Sequence, residues 1–242
     1  MNSSTPNKSK GRITPAGGDL SRRHFVRISL ATTAGTLFHL MKPSASPFSA
    51  PQTALAPDEA LSELIEGNRR YVSGKMTAHE HDLKLLRDKN ADKQEPFAAV
   101  LACADSRVPV EVIFDQTIGQ VFVCRLAGNV TTPEVIASLE YAAAALGVKV
   151  IMVLGHSKCG AVEATIQGSA EPGQISALYP HIQPAIDLAG KDSVAAIKAN
   201  ACIQRNLLAQ ASTVLSGLVK DKKIKIVAGY YDVATGLVTM ID

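Results

Sequence analysis

Three short, nearly continuous apolar runs organise the chain: FAAVLA (97–102), QVFVCRLAG (120–128) and KVIMVLG (149–155). Runs of this length between turn residues suit strands buried on both faces of a parallel sheet. Between the second and third lies TTPEVIASLEYAAAALG, where Thr131 or Thr132 can cap a helix, Pro133 fits its first turn and Gly147 its end. That is a strand–helix–strand unit. Upstream, DEALSELIEGNRRYVSGK spaces Leu61, Leu64 and Ile65 helically behind an acidic first turn, which predicts a helix from Pro57 to Gly74. A polar, charged stretch follows to Glu95. Downstream, GAVEATIQG predicts a short helix, and longer ones cover 175–189 and 192–218, with Gly217 as a stop. The final IKIVAGYYDVATGLVTMID sets two β-rich runs around DVATG. The pattern predicts an α/β fold, a single domain with a mainly parallel central sheet flanked by helices and a C-terminal strand pair at the edge.

The first 56 residues follow none of these patterns. Residues 1–20 are rich in Ser, Pro, Gly and Lys, a mixture that cannot build a core. They lead into SRRHFVRISLATTAGTLFHL, with paired Arg22 and Arg23, Phe25 two positions on, and a weakly apolar run. That run is well short of the ~20 residues a bilayer span needs. A Pro/Ser/Ala segment then ends in the small-x-small trio Ala54–Ala56. This order resembles a twin-arginine export signal. It implies removal of 1–56, a mature domain over 57–242 without a transmembrane segment, and delivery to the periplasm or a thylakoid lumen. An amphipathic helix that happens to contain Arg-Arg is the alternative.

Charge supports the division. Residues 1–56 hold seven of the 25 basic residues and one of the 22 acids, so the remainder carries 18 against 21, a net −3 where the whole chain has +3. The electrostatic motive for binding nucleic acid leaves with the N-terminus. Four cysteines in 242 residues are too few for a disulfide scaffold. Absent Trp and 5% aromatics argue against a base-stacking or sugar-binding platform.

The chemistry gathers in two stretches. In LACADSRVP, Cys103, Asp105 and Arg107 alternate, which on an extended chain points all three to one face. In LGHSKCGAV, His156 and Cys159 leave a strand and enter a helix. In an open parallel sheet, sites form beyond the carboxyl ends of strands, so the two stretches can meet there. Two thiolates and an imidazole suit tetrahedral Zn²⁺ and leave a fourth place for water or a carboxylate. Taken alone, His-x-x-Cys is equally the signature of core side chains, and Asp105–Arg107 that of a surface ion pair.

Together, CADSR and GHSKCG resemble the two signatures of the beta-class carbonic anhydrases, and the likeness runs from Asp58 to the C-terminus through RVPVEVIFDQTIGQVFVCRLAGNV and SLEYAAAALGVKVIMVLGH. The resemblance implies reversible hydration of CO2 to bicarbonate and a proton by zinc-bound hydroxide, with one Zn²⁺ per chain. It puts the ligands on Cys103, His156 and Cys159. It puts a gate on Asp105 and Arg107, with Asp105 able to close the fourth zinc position itself. It puts substrate-pocket residues at Gln94, Phe122, Tyr141 and Gly160. The family builds this pocket between subunits, which implies a homodimer or higher homo-oligomer with N-terminal helices packed on the partner. Without Trp, the Trp-lined regulatory bicarbonate site of some members cannot form in that way.

Other functions weigh less. The same fold can act on carbon disulfide or carbonyl sulfide, a matter of pocket access. A non-catalytic zinc protein needs four closing ligands and has no use for an Asp–Arg switch. A cysteine nucleophile is unnecessary where zinc explains both thiols. Cys124 and Cys202 belong to no motif and read as core. HEHD (79–82) lacks the His-Glu-x-x-His spacing and reads as solvated surface, and KDKKIK (220–225) as a charged edge before a strand.

Overall fold

The three apolar runs form three adjacent strands of a five-stranded sheet: β1 (Ala98–Ala102), β2 (Val121–Arg125) and β3 (Val150–His156). The structure is a computed structural model that describes residues 53–78, 88, 91–169 and 172–242, all within one compact unit. β1 lies between β2 and β3, parallel to both, with Ala98 opposite Val121 and Val150. β4 (Lys225–Tyr231) runs parallel to β3, and β5 (Val238–Ile241) returns antiparallel at the edge. Every residue of β1 and β3 is buried, which is why their sequences are continuously apolar instead of alternating.

Alternate side chains feed two cores. Ala98, Val100, Ala102, Val150, Met152 and Leu154 face α1 (Pro57–Val72) and α2 (Val110–Ile113). Ala99, Leu101, Ile151 and Val153 face α3 (Pro133–Ala144), α6 (Ser193–Ala211) and α7 (Thr213–Lys220). The helices start where side chains satisfy their first amides. Thr132 accepts from Val135 N, Asp192 from Ala195 N, and Ser212 from Leu215 N. α1 buries Ala60, Leu64, Gly67 and Asn68 on its own chain, so only its outer face is left to meet a partner. No helix among the described residues is long and apolar enough to cross a membrane.

Four expectations change. The second strand stops at Arg125, not 128, because Ala127–Asn129 form a 3₁₀ turn with Gly128 at φ 73 and Asn129 at φ 45. The long helix over 192–218 is two helices, broken at Ser212, whose side chain turns from helix interior to cap. Gly217 is no stop, since α7 runs on to Lys220. The predicted helix over 175–189 is a 3₁₀ turn (Ile175–Leu178) leading into α5 (Tyr179–Ala189). Cys124 and Cys202 pack, half-buried, against the second core, as expected of them. Residues 1–52 and the HEHD stretch lie outside the described residues. Of the trio Ala54–Ala56, Leu55 packs against the first core.

Candidate metal centre

Ala102 pairs with Leu154, so the residues leaving β1 and β3 emerge side by side. Cys103 follows β1 directly, and His156 is the last residue of β3. Cys159 is the N-cap residue of α4 (Gly160–Gln167), where the dipole and free amides of a helix favour a thiolate. The turn between them puts Lys158 at φ 53, and Lys158 O accepts from Arg107 Nη2 (3.0 Å). One ligand atom from each of Cys103, His156 and Cys159 lies within 4.8 Å of the others, and all three residues are buried. The two sulfurs are 4.0 Å apart.

The donor set fits a zinc ion on three observations. First, His156 Nδ1 lies 3.0 Å from Ser157 O, a carbonyl that can only accept, so Nδ1 carries the proton and Nε2 the lone pair. Second, that Nε2 is buried with no hydrogen-bond partner among the described residues, an arrangement costly for a polar atom unless something else occupies it. Third, the thiols are unequal. The contact with Cys159 holds Cys103 well below the usual thiol range against the opposing effect of burial, with Gly128 N–H (3.3 Å) adding to it. The same contact, then burial, pushes Cys159 up. A buried pair sheds one proton readily and the second only against its neighbour's charge, which a divalent cation offsets.

Asp105 stands beside this cluster and belongs to another partner. Arg107 grips it with Nε on Oδ1 (3.0 Å) and Nη2 on Oδ2 (2.7 Å), and the Arg107 amide adds a bond to Oδ1 (2.9 Å). This fork holds the carboxyl well below the usual carboxylate range. Asp105 Oδ2 lies 3.9 Å from His156 Nε2 and outside the three-atom cluster. The extended geometry expected of Cys103–Arg107 is corrected. Val108 N donates to Asp105 O (3.1 Å), so the chain turns there and Arg107 folds back onto Asp105 instead of standing beside it on a pleat.

One contributor went unnoticed in the sequence. Arg125, opposite Ala102 at the end of β2, donates from Nε to Cys103 O (3.0 Å) and from Nη2 to Asp105 O, fixing the backbone that carries both side chains. Its place at the carboxyl end of a strand beside β1 was the available signal. The pocket residues divide. Gly160 adjoins Cys159, and a Cβ there would meet nothing within 4 Å beyond its own chain neighbours and helix backbone. Phe122 pairs in register with Ala99, four residues before Cys103, or about 13 Å along the strand. It contacts Tyr141, with ring centroids 6.3 Å apart, and Tyr141 is 38% exposed. Gln94 is exposed before the amino end of β1. Within one chain these three are not brought to the thiols.

A family profile described as carbonic anhydrase matches residues 98–238. The chain is 38% identical over 145 residues to "Carbonic anhydrase 2" of Mycobacterium tuberculosis, covering 58% of this chain and 70% of that one. It is 30% identical over 198 residues to a carbonic anhydrase of Pseudomonas aeruginosa, covering 75% and 88%. Among solved structures, a beta-carbonic anhydrase of Coccomyxa superposes with a TM-score of 0.57 at 26% identity, covering 75% of this chain and 86% of that one. One of Aspergillus fumigatus shares the fold with a TM-score of 0.62 at 23% identity, covering 75% and 90%.

Proposed function

The chain belongs to the beta-class carbonic anhydrase family, and on that premise we propose that Cys103, His156 and Cys159 hold the zinc ion with which it catalyses reversible hydration of CO2 to bicarbonate and a proton. The observation that carries the assignment is the buried cluster itself, with His156 Nε2 unpartnered at its centre. Zinc held there supplies the Lewis acidity that makes a water molecule nucleophilic near neutral pH.

The remaining work falls to the chain. Ser157 O fixes the His156 ring and its tautomer, as second-layer carbonyls do for ligating imidazoles. Arg107 keeps Asp105 ionised and immobile. A carboxylate only accepts hydrogen bonds, so Asp105 admits a species that brings an O–H to it and repels one that presents lone pairs. Both the attacking water and the bicarbonate product carry such an O–H, and by accepting it Asp105 would leave the lone pair of the attacking oxygen free to face the carbon of CO2. Arg125, through Cys103 O and Asp105 O, holds ligand and gate in one frame.

The pocket residues favour an assembly. Gln94, Phe122 and Tyr141 sit toward the amino ends of the strands, so they complete a site only when contributed by a second copy. β2, with Phe122 on it, is an edge strand open to pairing. A homodimer or larger homo-oligomer follows. The Arg22–Arg23 pair, the apolar run and the Ala54–Ala56 trio favour export through a twin-arginine route to the periplasm or a thylakoid lumen, with the mature domain starting near Pro57. Mass determination of the exported form tests this, and an intact N-terminus on exported protein overturns it. For the activity, stopped-flow CO2 hydration is measured with zinc content in the same sample. The expected result is one zinc per chain, activity lost on chelation and regained on zinc addition. Zinc at that ratio without CO2 hydration overturns the assignment and favours a carbon disulfide or carbonyl sulfide substrate.

A further inference from the structure

A line of hydrogen bonds reaches the metal centre through two fully buried side chains. α6 crosses the end of β3 closely enough that a Cβ at Gly155 would stand 3.0 Å from Ile197 Cγ2. On this helix Asn200 and Gln204, one turn apart, are both 0% exposed. Gln204 Nε2 donates to Asn200 Oδ1 (3.1 Å) and His181 O (3.0 Å), and its Oε1 accepts from Thr131 N (2.8 Å). Asn200, thus oriented, donates from Nδ2 to Gly128 O (2.8 Å). Gly128 in turn donates from N to Cys103 Sγ (3.3 Å).

We propose that Asn200 and Gln204 are positioning residues for the metal centre, acting by holding the Gly128 amide on the Cys103 sulfur. The inference rests on Cys103 being a zinc ligand. Two buried amides are costly unless fully paired, and an apolar pair would pack a helix on a loop more cheaply. The polar pair has its advantage where direction matters. Gly128 supplies that need. Its N–H and its C=O belong to adjacent peptide planes hinged at a Cα without a side chain, at φ 73, so fixing the carbonyl limits where the amide points. A Cβ at Gly128 would meet Ile182 Cδ1 at 2.8 Å, so α5 closes the loop from the other side. A donor to an anionic acceptor binds about twice as strongly as to a neutral one, so the amide favours the ligating thiolate over the thiol and draws charge from it.

The test compares Asn200→Leu with Asn68→Leu, which removes an equally buried Asn that bonds Ile113 O, Gly236 O and Val238 N on the opposite face of the sheet. The readouts are zinc affinity by chelator competition and the thiolate-to-metal charge-transfer band of the cobalt(II)-substituted protein. Asn200→Leu is expected to weaken zinc binding about 10–100-fold and to move the band to longer wavelength, since the sulfur becomes richer in electrons. Asn68→Leu is expected to lose stability and leave both readouts at wild-type values. Equal effects from the two variants, or an unmoved band in Asn200→Leu, overturn the proposal. If Asn200→Leu does not fold, Gln204→Met decides, with a smaller shift in the same direction expected and an unmoved band again overturning it. A wild-type protein without any thiolate band overturns the zinc assignment itself, which separates that failure from this one.

Discussion

Asp115 follows the last turn of α2 with a left-handed backbone (φ 46) and a side chain 0% exposed. Asn tolerates the same φ and has the same shape, so Asp115→Asn removes a charge and little else. The carboxylate accepts from Arg70 Nε (2.5 Å), Thr77 N (3.0 Å), Ala78 N (3.0 Å) and Thr77 Oγ1 (3.3 Å), tying the end of α1 and the segment after it to the turn beyond α2. An Asn amide keeps one oxygen and turns its NH2 either to the guanidinium or to the two main-chain amides. Either way a donor faces a donor. A hydrogen bond to a charged group contributes about 1.5–3 kcal/mol. Arg70 is 31% exposed, so water takes up part of its loss, and the net cost should be about 2–3 kcal/mol. The pH dependence has a definite sign. Burial alone raises the Asp115 pKa, but the bonds from Arg70, Ala78 and Thr77 together outweigh it and hold the group below its ordinary value. A depressed folded pKa contributes stability that is present above the unfolded value of about 4 and lost as pH falls through the folded one. Urea unfolding of both proteins should therefore show the full gap at pH 7 and a narrowing gap below about pH 4. Taking the difference between variants cancels the acid sensitivity of the metal site they share. A gap under about 0.5 kcal/mol at pH 7, or one that widens as pH falls, refutes the argument.

Two further substitutions test the packing and the gate. Gly67→Ala should raise stability by about 1 kcal/mol on helix propensity alone. Its Cβ would lie 1.8 Å from Phe114 O, however, so α1 must retreat, and a net loss of about 1–3 kcal/mol in thermal or urea unfolding is expected. An unchanged or raised midpoint denies the close approach. Arg107→Lys keeps the charge but loses the two-point fork on Asp105 and the bond to Lys158 O, so kcat/KM for CO2 hydration should fall about 10–100-fold with zinc content unchanged. Activity within about twofold of wild type removes the fork from the mechanism.

The parts of this protein that were legible in its sequence are those fixed by local period. Strands buried on both faces leave no polar positions, so β1 and β3 announce themselves as unbroken apolar runs. Residues that leave adjacent strand ends must then meet, which is why Cys103, His156 and Cys159 converge across more than fifty positions of sequence. What escaped is non-local or depends on a single peptide plane. Ser212 reads as helix interior until Leu215 N and Glu140 show it to be a cap. RLAG reads as strand until Gly128 turns left-handed, and that turn is what aims an amide at Cys103. Asn200 and Gln204 read as unremarkable polar positions in a helix because their partners lie near residues 128 and 131. Asp105 had two partners open to it from sequence. The turn at Asp105–Val108 brings the Arg107 fork and the Arg107 amide onto the same carboxylate at once. Arg125 donates to Cys103 O and also to Asp105 O, the carbonyl that Val108 N closes the turn on, so the backbone carrying Cys103 and the turn carrying Asp105 are tied together through one guanidinium.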